Sequence, residues 1–136
     1  MSSKADILYI EDNEDYIDFV KRALKKVDSS ITLSTATDGK TALSTVSNVS
    51  YKLILLDIHL PGINGIELVQ KIREQKALAY TPIIMLSTSD NPKDIEACYQ
   101  RGANAYLVKP VGIQPLVNTL KSICDFWLNC NYSATN

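Results

Sequence analysis

One histidine, three scattered cysteines and no surplus of either charge close off several kinds of chemistry before any motif is read. Cys98, Cys124 and Cys130 include no CxxC pair, and with His59 as the sole histidine there is no Cys/His set for a zinc site. The thiols are odd in number and widely spaced, so they read as reduced, core or half-buried side chains rather than a disulfide framework. A net charge of -1 lacks the basic excess that phosphate-backbone binding demands, which excludes nucleic acid as an expected partner. No stretch approaches the roughly 18 apolar residues of a membrane span, and MSSKAD opens no signal-peptide core, so the chain is expected in the cytoplasm without a membrane partner.

What is there is enough for one compact domain. The 136 residues fall within the usual domain size of roughly 100 to 150, so residues 1–136 are read as a single domain with a core over about 5–129 and a polar tail at 130–136. Short apolar runs at 6–10, 31–36, 53–56, 82–87 and 105–108 alternate with stretches of helical period, such as Ile17, Val20, Leu24 and Val27. Asn91 before Pro92 marks a helix start, and Gly102 after Arg101 marks a helix stop. The alternation predicts an α/β, doubly wound, flavodoxin-like fold in three layers, with a five-stranded parallel sheet. LILL and IIML lack the polar alternation of a half-exposed strand, as expected of strands covered on both faces.

In a doubly wound sheet the ligand chemistry sits at the carboxyl ends of the strands. There the chain places Glu11 and Asp12 after the first strand and Asp57 after the third. Ser87, Thr88 and Ser89 follow the fourth, and Lys109 and Pro110 the fifth. With strand order 2-1-3-4-5 the first and third strands are neighbours, so three carboxylates are expected to crowd one crevice. Such a cluster either raises a pKa or recruits a cation, and an all-oxygen donor set favours Mg²⁺. A lone acid at a strand-to-helix junction is more often a helix cap than a ligand, and that reading stays open for Asp12 or Asn13 as the cap of the first helix. It does not account for Asp57 at the end of the most apolar strand together with a hydroxyl and a lysine beyond its neighbours.

The series IEDN, LLDIHLPGING, LSTS and YLVKP, in this order and at these separations, resembles the receiver domain of two-component response regulators, from about Ile7 to the end of the fifth helix. The resemblance implies that Asp57 is the phosphoacceptor and that Mg²⁺ is held by Glu11, Asp12, Asp57 and the backbone carbonyl of His59. It makes Ser87 the hydroxyl that reaches the phosphoryl group and Lys109 its cationic partner, with a cis Lys109-Pro110 peptide. Ser87 and Tyr106 are then the switch pair, Tyr106 turning inward as Ser87 moves. The side chains of His59 and Ser89 are expected to tune dephosphorylation. The implied donor is a phosphohistidine of a histidine kinase or phosphotransfer protein, and the protein is a phosphoacceptor rather than a turnover enzyme.

The stretches EACYQRGANAYLVKPV and LKSICDFWL are further similar to small stand-alone regulators of phytochrome-type kinases, which form homodimers. A homodimer through the fourth helix, fifth strand and fifth helix is therefore expected, with Phe126, Trp127 and Leu128 at the interface. Three other readings fit less well. A haloacid dehalogenase-type phosphatase wants a carboxylate at position 59, where this chain has histidine. A flavodoxin-type carrier wants a glycine- and hydroxyl-rich loop where EDNEDY stands. A mere scaffold would be indifferent to Asp57→Asn.

Overall fold

The computed structural model describes residues 3–134. Five strands, β1 (Ser3–Ile10), β2 (Leu33–Ala36), β3 (Val49–Leu56), β4 (Ile83–Ser87) and β5 (Ala105–Val108), form one parallel sheet in the order β2-β1-β3-β4-β5. They alternate with α1 (Glu14–Val27), α2 (Gly39–Asn48), α3 (Gly65–Glu74), α4 (Pro92–Arg101) and α5 (Ile113–Cys124). A 3-10 turn (Lys76–Leu78) precedes β4, and a π-helical segment (Asp125–Cys130) continues α5. The doubly wound architecture and strand order expected from the sequence are the ones observed. No helix among the described residues is long and apolar enough to cross a membrane.

The two faces of the sheet divide the apolar residues by strand alternation. Leu53 and Leu55 of β3 pack with Ile7, Tyr9, Ile84 and Leu86 under α1 and α5, where Ile17, Val20, Leu24, Leu116 and Leu120 meet them. Ile54 and Leu56 face the other way with Leu8, Ile10, Ile83 and Met85, beneath Val46, Leu68, Val69, Ile72 and Cys98. LILL is apolar throughout because each of its residues is covered, half by one helical layer and half by the other. Fully burying such a side chain contributes about 1.5–3 kcal/mol, so these two cores hold the strand ends in place.

Local signals act as expected at α4. Asn91 Oδ1 accepts the Lys93 N–H at 2.9 Å, Pro92 takes the first helical position, and Gly102 closes the helix in the left-handed region at φ 117°. β3 starts earlier than its apolar run, because Val49 and Tyr51 lie beside Ser3 and Ala5 of a β1 that is also longer than expected. Residues 49–52 alternate partly buried with exposed, so main-chain pairing rather than hydrophobicity carries the strand there.

The turn from β3 into α3 brings Gly65 hard against the strand end. Its N–H donates to the Ile58 carbonyl at 2.8 Å, and a Cβ built on it would stand 2.1 Å from the Asp57 carbonyl oxygen and 2.7 Å from Ile58 Cα. Only backbone lies in the way, so a side chain forces the strand end apart from the helix. Gly65→Ala is expected to lower unfolding free energy by about 3 kcal/mol, the upper range for overpacking, seen as a lower urea midpoint at unchanged slope.

Candidate functional site

Asp57 is the first residue past β3, and its N–H still donates to the Ile10 carbonyl at 3.0 Å, so the sheet ladder fixes its backbone. Its carboxylate is buried. Oδ1 accepts the Ile58 N–H at 2.8 Å and Oδ2 accepts from Lys109 Nζ at 3.2 Å. Glu11, the first residue past β1, is held the same way through its N–H to the Ala36 carbonyl at 3.0 Å, and only 1% of it is exposed. Glu11 Oε1 accepts from the Tyr9 hydroxyl at 3.1 Å and from Lys109 Nζ, while Oε2 accepts the Asn13 N–H at 3.2 Å.

Lys109 reaches these acids from the end of β5, across β4. Its N–H donates to the Ser87 carbonyl at 2.8 Å, which places the β5 end beside the β4 end. Only 7% of its side chain is exposed, and Nζ also lies 4.4 Å from the centroid of the Tyr16 ring. One ammonium thus sits between two buried carboxylates. Burial raises the Glu11 carboxyl above its usual range and the Asp57 charge adds to this, while the Lys109 hydrogen bond pulls the other way. Burial, then the charges of Glu11 and Asp57, push the Tyr16 phenol up to about 12.

The three acids do not gather into one cluster. Glu11 and Asp12 are consecutive at a strand end and so take opposite sides of the chain. Glu11 is buried on Lys109 and Tyr9, whereas Asp12 is exposed and lines a cleft of about 540 Å³ with Ile58, His59, Pro61, Asn64 and Asp94. Among the described residues no group of three His, Cys, Asp or Glu is assembled as a ready ligand set. The expected crowding is corrected accordingly: Lys109 draws two acids inward and leaves the third at the mouth. The donors nonetheless fit Mg²⁺, which takes one or two carboxylates and keeps several waters. Every donor is an oxygen, Asp12 opens on the cleft, and each Asp57 oxygen retains acceptor capacity beyond its one hydrogen bond.

Ser87 ends β4 fully buried, and its Oγ accepts the Ser89 N–H at 3.4 Å. Ser89 Oγ donates to Asp94 Oδ2 at 2.6 Å. Tyr106 is partly buried against the core beside α4, and its hydroxyl donates to the Ser89 carbonyl at 2.7 Å. His59 is exposed at the cleft, its imidazole apart from the buried pair. The Lys109-Pro110 bond is trans, not cis as expected. Trans is the lower-energy isomer of an X-Pro bond by about 0.5–1 kcal/mol, and Lys109 reaches both acids from it.

Trp127 and Leu128 are partly buried against the α1/α5 core, and with Tyr51, Leu78 and Pro82 they line a cavity of about 450 Å³. None of Glu11, Asp12, Asp57, Ser87 or Lys109 borders that cavity, so its size carries no bearing on the chemistry. Phe126 is the exposed member of the trio, meeting Trp127 edge-on at 4.9 Å. On α4, β5, the connection that follows it and the start of α5, Tyr99, Val108, Val111 and Ile113 are exposed.

Two residues of the site escaped the sequence reading. Tyr9 of β1 stands two before Glu11, which continues the extended chain just past the strand, hence on the same face, and that spacing was its signal. Tyr16 stands three after Asn13, whose side chain caps α1 by accepting the Tyr16 N–H at 3.0 Å. Nothing in the sequence aims its ring at a lysine 93 positions away (109 minus 16).

Residues 7–121 match the family model described as response regulator receiver domain. Among curated proteins, the probable methanogenesis regulatory protein FilR2 of Methanothrix harundinacea is 29% identical over 133 residues, covering 93% of this chain and 86% of that protein. Response regulator ArlR of Staphylococcus aureus is 34% identical over 117 residues, covering 86% of this chain but only 51%, about half, of its own length. Among solved structures, the phosphorylated cyanobacterial phytochrome response regulator RcpA superposes with TM-score 0.88 at 28% identity, covering 98% of this chain and all of that one. The Mn²⁺-bound form of response regulator Rcp1 gives 0.81 at 28% identity, covering 96% of this chain and 99% of that one.

Replacing Lys109 with Met strands Glu11 and Asp57 as two unpaired buried carboxylates. A loss of about 3–5 kcal/mol at pH 7 is expected. Glu11 already titrates above its ordinary 4.5, so its ionised form opposes folding, and that penalty is lost as pH falls through the raised value. The Lys109→Met deficit, read from urea unfolding, should therefore shrink between pH 7 and pH 4.5.

Proposed function

The chain belongs to the response regulator receiver domain family of two-component systems, and from that premise we propose that Asp57 accepts a phosphoryl group from a histidine kinase or phosphotransfer protein in a Mg²⁺-dependent reaction. The observation that carries this reading is the Lys109 ammonium bound to Asp57 Oδ2 at 3.2 Å inside a buried crevice, next to the buried hydroxyl-bearing Ser87. An Asp57 oxygen attacks phosphorus, the donor P–N bond breaks, and the imidazole leaves with the electron pair, so that an acyl phosphate forms on the aspartate. Carboxylate is a weak nucleophile, and what this chain contributes is position and charge.

The β3 ladder aims Asp57, and Lys109 supplies a cation to the incoming phosphoryl oxygens. Ser87 supplies a hydroxyl donor. Asp12, Asp57 and the main-chain carbonyl of His59, with Glu11 behind them, are the oxygens that would hold the ion. When bound, Mg²⁺ supplies positive charge against the developing phosphoryl charge. A phosphoryl group brings about two negative charges at pH 7, which compete for Lys109 and Ser87 and thereby bias the Ser87/Tyr106 pair. The phosphorylated form then presents an altered α4-β5-α5 face, where Tyr99, Val108, Val111 and Ile113 are exposed.

The likeness to RcpA, a phytochrome response regulator, supports a phytochrome-type kinase as the donor; the cytoplasmic setting and the homodimer through the α4-β5-α5 face rest on the sequence alone. Tyr99 on α4 and Phe126 beyond α5 are exposed aromatics available to such an interface. Trp127 and Leu128 contribute less than the sequence implied, since the core claims part of each.

Incubation with Mg²⁺ and acetyl phosphate is expected to add one phosphoryl group by intact mass, acid-stable and base-labile, and Asp57→Asn should abolish it. An equal adduct on Asp57→Asn would sink the assignment. The decay of that adduct should change when His59 or Ser89 is exchanged; unchanged lifetimes dismiss their tuning role. Light scattering at micromolar concentration, with and without a beryllofluoride analogue, should give the mass of a dimer, and a monomer in both states removes the interface proposal.

A further inference from the structure

The loop from β1 into α1 closes a circuit around the Lys109 ammonium. Glu11 Oε2 accepts the Asn13 N–H at 3.2 Å, and Asn13 Oδ1 accepts the Tyr16 N–H at 3.0 Å. The Tyr16 ring faces Lys109 Nζ at 4.4 Å, and Nζ returns a hydrogen bond to Glu11 Oε1. The bond that caps α1 is therefore also the bond that sets where the ring stands. Phe19 meets that ring edge-on at 5.7 Å, and the Tyr16 hydroxyl makes a long bond of 3.5 Å to the Pro110 carbonyl, one residue beyond Lys109. Helix, ring and the β5–α5 connection all converge on one ammonium.

We propose that Tyr16 is a positioning residue for phosphoryl transfer, its ring face holding the Lys109 ammonium on the side of the crevice where Asp57 receives the group. The inference rests on Asp57 being the phosphoacceptor. A lysine has more rotamer freedom to lose than almost any other side chain, so an ammonium with carboxylates on one side and water on the other spends part of its time turned away. The π face of a tyrosine attracts a cation most strongly where water is excluded, and the Lys109 side chain is 7% exposed. The ring does this without adding charge. A third carboxylate in its place would deepen the negative excess of Glu11 and Asp57 and repel the donor phosphate. A ring face also binds no single hydrogen of the ammonium, which leaves Nζ free to shift its bonds from the carboxylates to phosphoryl oxygens.

The test compares Tyr16→Phe, which keeps the ring, with Tyr16→Leu and Tyr16→Met, which remove it, each also in the Lys109→Met background. At saturating acetyl phosphate and Mg²⁺, the ring-less variants should form adduct about 5- to 30-fold more slowly, the factor that ~1–2 kcal/mol of cation–π attraction commands. Tyr16→Phe should stay within about twofold of wild type, and in Lys109→Met the ring-less change should cost nothing further. Without any phosphodonor, the Lys109 Hε proton resonances should be shifted upfield by the ring in wild type and Tyr16→Phe, and ordinary in the other two. Folded ring-less variants that react at the wild-type rate overturn the proposal. So does a full additional loss in the Lys109→Met background, which would make the effect structural. A wild-type protein that takes no phosphoryl group removes the phosphoacceptor reading and the transfer role with it, whereas shifted Lys109 resonances in that case still report the ring contact separately.

Discussion

Two carboxylates taken out of water at the ends of neighbouring strands, Glu11 and Asp57, are kept together by the ammonium of Lys109. Either acid alone in that setting carries a desolvation cost of several kcal/mol, and the pair adds repulsion. The lysine offsets both, and it does so from a strand that touches neither of theirs. Its own N–H is tied to the Ser87 carbonyl, so the ion pair also sets how β4 and β5 end relative to the acids. Ser87, Ser89 and Tyr106 belong to the same arrangement, since the Ser87 Oγ accepts the Ser89 N–H and the Tyr106 hydroxyl donates to the Ser89 carbonyl.

The rest of the fold serves to deliver those strand ends. Five parallel strands covered on both faces give rigid main chain up to the last ladder bond, and the acids follow immediately after it. Gly65 lets α3 start directly against Asp57 and Ile58, so Asp57 stands on a tightly packed turn rather than on a free loop. On the other side of the crevice the loop into α1 is short and self-bonded. Glu11 holds Asn13 and Asn13 holds Tyr16, so the helix cap and the lining of the site are built from the same atoms.

A site so arranged has its cation and its hydroxyl waiting in place, and its outermost acid, Asp12, opening on the cleft. Charged and hydroxyl groups fixed in this way by the fold need no reorganisation to meet a ligand that enters the cleft. Tyr106 bonds to the Ser89 carbonyl and packs on the core beside α4, which ties the β5 ring to the segment that follows Ser87.

Fold class and the residues at the carboxyl edge were legible in the sequence, because buried strands and strand-end acids are written in local composition; the strand order entered there as a condition, which the sheet meets. LILL ending on Asp57, the cap at Asn91 and the stop at Gly102 were legible for that reason, and the structure keeps all three. Early β3 was not, since residues 49–52 are held by main-chain bonds to β1 that composition does not reveal. Tertiary structure alone decided how the acids divide: strand alternation and the reach of Lys109 bury Glu11 and leave Asp12 outside, where a count of carboxylates had expected three together. It also decided the isomer before Pro110, the part-burial of Trp127 and Leu128, and the meeting of Tyr16 with Lys109. Each of these depends on distances between segments far apart in the chain, and those distances are fixed only when both layers of helices close on the sheet.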